Sequence, residues 1–404
     1  MKPSDISEIK HLYQLDPERC GIHRISGCYV NGEKTRVVEF TENFLTLPEE
    51  ERFKYLEIFR KTLSGTRDRN LLLLRPRQVH REDHSGDMTG EEVKLLQALI
   101  ETDLKDEAVL KEFYDRVIEH FQYIDNYLIL LARQNYDVPG KTLDGLELED
   151  ASEEVYRHVI CAICPVKPTK PGLGYDPTDK AFHNLTPGQI VELPMNGFLY
   201  PAFVERSADP DMVLYYSKDT VDIRPSFADA VLGSGTPLAA NGQKESFTEL
   251  LTETLGEEGD LSTVLQIQDS LREIVKEKKE EQESPVLNKE DVRVILSDCG
   301  VAEERLKDFD ERFDAVFTVQ EQPETEKDET ALSRYPEDVP IEDRIFVASN
   351  LVPGRKLEVK NADFTIRINT DRTELLETRV IDGKKCLVIE LEDGVSVNGI
   401  PIGI

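Results

Sequence analysis

Tyr156-Arg157-His158-Val159-Ile160-Cys161-Ala162-Ile163-Cys164-Pro165-Val166 opens Glu154–Ser217, the stretch that holds nearly all the unbroken β-character of the chain. A Pro/Gly-rich turn region follows it. Then come Gln189–Pro194, Gly197–Phe203 and Met212–Tyr216, each a short apolar run bounded by Pro or Gly. Runs of that length with those boundaries are buried strands, and several in succession make a sheet. Working outward, Asn70–Arg75 and Asn126–Gln134 add two more apolar strands. Gly21–Val30 and Thr35–Phe40 read as a hairpin turning at Asn31-Gly32.

Helices punctuate these strands. Ser4–Gln14, Pro48–Leu63, Glu91–Asp103 and Glu107–Tyr123 show apolar residues at helical spacing, with Leu110, Phe113, Tyr114, Val117, Ile118 and Phe121 on one side of the last. Beyond Pro225 the texture turns helical, through Phe227–Leu232, Ser246–Leu255, Leu261–Glu280, Asn288–Ser297 and Ala302–Phe317. Gln320–Asp343 is rich in Glu, Pro and Thr and almost free of large apolar groups, the composition of a disordered linker. Leu357–Lys360, Phe364–Ile368, Thr378–Ile381 and Cys386–Leu391 then alternate apolar with polar residues, with a turn at Asp382-Gly383.

The expected fold is therefore α+β: an α/β-like body with a mixed sheet over 1–220, a helical region over 221–319, an acidic linker over 320–343, and a small all-β module over 344–404.

A chain of 404 residues is long enough for two or three cored domains. Its 80 acidic residues against 49 basic give a net charge of −31, a self-repelling surface that disfavours direct adhesion to phosphate backbones or anionic lipid. Met1-Lys2-Pro3-Ser4-Asp5-Ile6 lacks the apolar core of a signal peptide, and no apolar run approaches the roughly 20 residues that span a bilayer. Six dispersed cysteines form no disulfide framework, so a cytoplasmic protein with reduced thiols and no membrane partner is expected.

Few residues offer chemistry. Cys161 and Cys164 have the spacing of a zinc half-site, with Cys20, His23 and Cys28 as the candidates to complete it. Within an apolar strand, however, residues three apart face opposite sides of the sheet, which favours buried structural cysteines. His80 and His84 flank Arg81-Glu82-Asp83 as a candidate divalent-cation loop, yet Ser85-Gly86 argues against the helix that would align them. Gly233-Ser234-Gly235-Thr236 and Gly242-Gln243-Lys244-Glu245-Ser246 imitate phosphate loops without the contiguous Gly-Lys-Ser/Thr or the preceding strand. Leu357-Glu358-Val359-Lys360, with Pro336-Glu337-Asp338 upstream, resembles the Glu-x-Lys strand of metal-dependent nucleases, though exposed strands commonly alternate charge in this way. No catalytic residue and no cofactor is assigned.

Cys20–Val30, Leu47–Gly65, Cys161–Tyr175, Val191–Ser207 and Thr378–Val388 together resemble an uncharacterised "domain of unknown function" family typical of anaerobic Gram-positive bacteria, along essentially the whole chain. That resemblance implies no activity, cofactor or site residue. In element order the chain is also similar to the acidic nucleoid-associated protein family of bacteria, on Tyr127–Leu131, Phe227–Gly233, Phe364–Ile368 and Cys386–Glu390. The leading expectation is a non-enzymatic cytoplasmic interaction protein, nucleoid-associated through a protein partner or nucleoid complex. The alternative is a metal-dependent hydrolase acting on phosphodiesters. The apolar helix faces suit an internal core and a homo-oligomer equally well.

Overall fold

The computed structural model describes residues 1–14, 21–80, 87–141, 147–176, 178, 180–185, 188–256, 260–317, 344–352, 354, 356–390, 396–397 and 400–401. The chain divides into two compact units, Met1–Ala239 and Ala240–Ile404.

The first unit runs α1 (Pro3–His11), β1 (Ile22–Val30), β2 (Arg36–Asn43), α2 (Glu49–Thr62), β3 (Leu71–Leu74), β4 (Gln78–His80), β5 (Asp87–Thr89), α3 (Glu91–Glu101) and α4 (Glu107–His120). It continues through β6 (Tyr127–Lys141), β7 (Glu147–Pro168), β8 (Gly172–Asp176), β9 (Ala181–Leu185), β10 (Gln189–Val191), β11 (Asn196–Tyr200), β12 (Ala202–Val204), β13 (Ser207–Asp209), β14 (Val213–Ser217) and α5 (Pro225–Leu232). An eight-stranded sheet has the order β2-β1-β6-β7-β11-β14-β3, with β10 also on β7.

The α+β class is as expected, but each strand pairing in this sheet is antiparallel, so the sheet is not mixed. The physical reason is connectivity. β6 and β7 follow directly as one long hairpin, and no helical crossover links sheet neighbours in the way a parallel pair requires.

The apolar runs are unbroken because both faces of the central strands are buried. On β6, Ile129 and Leu131 enter one core while Leu128, Leu130 and Ala132 enter the other. On β7, Val159, Cys161 and Ile163 alternate in the same way with Ile160, Ala162, Cys164 and Val166. The first core is capped by Leu96 and Leu99 of α3, Phe113 and Val117 of α4, and Phe227 and Val231 of α5. The second is capped by Ile6 and Ile9 of α1 and by Leu56 and Phe59 of α2.

Local signals explain the ends. Asp106 caps α4 by accepting from the backbone N–H of Ala108. Gly233 closes α5 at φ +68°. The Asn31-Gly32 turn is wider than a two-residue loop: Val30 pairs with Arg36, and the Asn31 side chain accepts from the N–H groups of Glu33 and Thr35. Expected to group with the helical region beyond residue 220, α5 instead packs in the first unit, because its apolar face completes the first core.

The second unit holds α6 (Ala240–Leu255), α7 (Leu261–Glu280), β15 (Val286–Leu287), α8 (Lys289–Asp298), α9 (Phe309–Ala315), β16 (Phe346–Val347) and α10 (Ala348–Leu351). Residues 303–308 form turns, so α9 covers only part of the expected helix 302–317. Phe346 packs edge-on to Phe247 and Phe313, and Gln243 Oε1 accepts from the Val347 N–H at 2.8 Å. Residues 346–351 thus belong to the helical core, and the β-rich module begins after them. That module consists of β17 (Lys356–Lys360) with β18 (Thr365–Asn369), β19 (Leu376–Ile381) with β20 (Lys384–Ile389), and β21 (Ser396–Val397) with β22 (Ile400–Pro401). Asp382 and Gly383 turn the second pair at φ +51° and +74°. The expected linker 320–343 lies outside the described residues.

A side chain at Gly197 would run into the Cys161 carbonyl of the neighbouring strand and meet the Thr62 methyl at 2.7 Å. Gly197→Ala is therefore expected to destabilise the protein by about 1–3 kcal/mol, as overpacking does. Urea denaturation measures this, and an unchanged midpoint would contradict the close approach.

Candidate functional site

The residues singled out in the sequence do not converge. Cys161 lies in the first core and Cys164 in the second, on opposite faces of β7, so the pair cannot grip one ion together. Cys28 shares the face of Cys161, and both lie near the buried Tyr114 hydroxyl. Burial pushes the Cys28 thiol up to about 12 and raises Cys161 and Cys164 as well. His23 is exposed at the β1 irregularity between Ile22 and Arg24. Cys20 and His84 lie outside the described residues, as does the side chain of His80. Among the described residues, no group of three or more His, Cys, Asp or Glu side chains is placed to hold a metal ion.

The loops that imitate phosphate sites are also accounted for. Gly233 is a helix cap, Ser234 Oγ donates to the Arg75 carbonyl, and Gly242–Ser246 is wound into α6. Glu358 is paired with Arg367 at 2.7 Å across the exposed β17–β18 hairpin, and 336–338 lies outside the described residues.

A polar cluster unmarked in the sequence sits where β6 and β7 run past their apolar segments. His158 is fully buried, stacks on Tyr156 at 4.4 Å, and shares a 2.9 Å hydrogen bond between Nε2 and the Tyr13 hydroxyl. Gln134, directly opposite in register, is buried too. Nearby, Arg206 grips both Glu8 oxygens at 2.8 Å and donates to the Pro139 carbonyl, while the Tyr136 hydroxyl donates to Glu8. Burial first, and the Arg133 charge second, lower the His158 pKa to about 3. A neutral, buried imidazole ties the turn that follows α1 to the sheet.

Two surface clefts have simple explanations. One of about 400 Å³ lies between α1 and α2, lined by Lys10, His11, Arg60 and Lys61. Lys10, Arg60 and Lys61 occupy the last turns of their helices, where positive charge offsets the free carbonyls. The other, about 370 Å³, is an acidic groove along α4 in which Arg116 is already held by Glu112.

The β8–β9 hairpin is different. Tyr175 pairs with Phe182, and their rings lie 5.4 Å apart. Leu173, two residues before Tyr175, shares its face. Leu173 is 77% exposed, Phe182 70% and Tyr175 55%. Just beyond in sequence, Ile190 and Leu193 are exposed as well. Apart from this hairpin, the first unit buries most of its aromatic residues, including Tyr114, Tyr127, Tyr156, Phe113, Phe121 and Phe198. The motif was hidden in sequence because Pro171, Gly172 and Gly174 read as turn. Its signal was the apolar alternation Leu173-x-Tyr175.

A family model described as "Domain of unknown function (DUF4317)" matches residues 1–400. The chain belongs to this family. No curated protein and no solved structure matches it. The family's description assigns no chemistry, so function rests on what these side chains can do.

Two outcomes check the site as described. Alkylation of the native protein, mapped by peptide mass spectrometry, is expected to label the half-exposed Cys386 while sparing Cys28, Cys161 and Cys164. Labelling of Cys161 without unfolding would contradict its burial. For His158, the unfolded chain binds the extra proton between pH about 6.5 and the folded value of about 3, so the stability it contributes is complete above that window and lost as pH falls through it. Relative to His158→Gln, the wild type should lose on the order of 3 kcal/mol between pH 6.5 and 4 in denaturation titrations. Parallel pH profiles would contradict the assignment.

Proposed function

We propose that the chain is a non-enzymatic interaction protein of the bacterial cytoplasm, and that the apolar face of β8–β9 docks a protein partner. The observation that supports this reading is the exposure of Leu173, Tyr175 and Phe182 on one side of a paired hairpin. Three exposed apolar side chains grouped on one hairpin face suit an interaction surface, and aromatic residues are the usual anchors of such surfaces. Two copies of a chain carrying −31 charges repel one another, which favours a partner with basic surface over self-association. Nucleoid association would then run through a basic protein and not through direct contact with DNA, whose phosphates the acidic surface repels.

The test is affinity isolation of the full chain from native cells, with and without nuclease, comparing wild type with a Leu173→Asp/Phe182→Asp variant. Both positions are exposed, so the variant should fold. One basic protein retained by the wild type through nuclease treatment and lost by the variant is the expected result. Recovery that vanishes with nuclease for both chains would overturn hairpin docking in favour of a nucleic-acid-dependent contact. Equal recovery by both chains, or none by the wild type, would overturn it as well.

A further inference from the structure

On the face of the sheet that carries the first core, β1, β6 and β7 each contribute an arginine near the same level. Arg24 lies directly opposite Arg133 in register. Arg133 in turn opposes Val159, which places Arg157, two residues earlier on β7, on the same face. Like charges directly opposite one another destabilise a strand pair, so this placement needs a reason. Arg133 is only 9% exposed, and its Nε has no hydrogen-bond partner. The Nε of Arg24 is also buried without a partner.

Among the described residues Arg133 is ion-paired with Asp103, whose Oδ1 stands 3.6 Å from Arg133 Nε, too far for a hydrogen bond, and accepts no hydrogen bond of its own. Asp103 also pairs with Lys105 at 3.1 Å. Arg133 and Lys105 therefore share one carboxylate, while Arg24 and Arg157 lie next to Arg133 on the same face with no ion pair to it. Asp137 lies further along β6, opposite Val155 at the exposed end. Asp103 and Leu104 hold left-handed backbone, at φ +54° and +53°, in the turn between α3 and α4 that brings Asp103 over the sheet. Two consecutive non-glycine residues in that region are costly and concentrate at ligand sites. Burial lowers the Arg133 pKa, Asp103 opposes that shift and the Arg157 charge adds to it; the guanidinium stays a cation, only partly offset by Asp103.

We infer that Arg24, Arg133 and Arg157, with Lys105 beside them, form a binding site for a phosphate-bearing small molecule. Guanidinium forks match phosphate oxygens two at a time, and several forks around one centre suit a polyanion over a monocarboxylate. Arg133 forms the enclosed floor, and Arg157, exposed and without an ion pair among the described residues, is the group a ligand meets first. This site is independent of the hairpin: it lies toward the opposite end of β7 and needs no protein partner.

The test is calorimetric titration of the full chain with pyrophosphate, inorganic phosphate and acetate. Pyrophosphate is expected to bind most tightly and acetate not at all. Arg157→Gln and, separately, Arg24→Gln should each weaken pyrophosphate binding by about tenfold, the worth of one charge-assisted contact. Arg157 is exposed, so its replacement should leave the unliganded thermal midpoint unchanged. Arg60→Gln, in the cleft between α1 and α2, serves as the control and should bind as the wild type does. Absence of binding by the wild type, equal binding by Arg157→Gln, or loss at Arg60→Gln in its place would each overturn the proposal. A purely structural role for these arginines would move the midpoint and leave the titration silent.

Discussion

The β6–β7 ladder is buried on both faces, and most of the first unit follows from that. With no water on either side, its backbone N–H and C=O groups must pair within the sheet, and its side chains must be apolar in both directions. Leu128–Ala132 and Val159–Cys164 meet both conditions. Two apolar faces require two covering layers, which α1 and α2 supply on one side and α3, α4 and α5 on the other. The close approach at Gly197, where only a hydrogen fits against the Cys161 carbonyl, is the same constraint felt one strand over.

Both functional proposals hang on the ends of β7, where the constraint relaxes. Toward its N-terminal half the strand carries Tyr156, Arg157 and His158; the Tyr156 hydroxyl donates to the Pro201 carbonyl and His158 Nε2 meets Tyr13, while Arg157 on the other face is exposed. Past its C-terminal end the chain departs into β8–β9, which keeps an apolar face with no packing of its own. A rigid, doubly buried ladder is a sound support for both, since it fixes the strands that carry the three arginines and the strand from which the hairpin leaves.

How much of this was legible depended on whether the cause was local. Tyr127–Leu131 and Val159–Val166 announced themselves as strands through unbroken apolar runs. The helices showed in the spacing of their apolar residues, as in Leu110, Phe113, Tyr114, Val117 and Ile118 of α4. The opposite placement of Cys161 and Cys164 followed from the two-residue period alone. Pairing order did not follow, because strand adjacency is a non-local choice. The antiparallel character of the sheet and the meeting of Arg24, Arg133 and Arg157 were therefore out of reach, although all three residues are plain in the sequence. Extension of β6 to Lys141 was missed because its outer half is polar, and the β8–β9 hairpin because its glycines and prolines imitate a loop.

Hydrogen exchange followed by mass spectrometry on the isolated full chain tests the central claim, a doubly buried ladder presenting an unsupported apolar hairpin. Amides of 128–132 and 159–164 should exchange slowest in the first unit, near the rate set by global unfolding, while those of 172–175 and 181–184 should exchange orders of magnitude faster. Protection in the hairpin equal to that of β6 and β7 would mean that its apolar face is already packed, and would contradict the account.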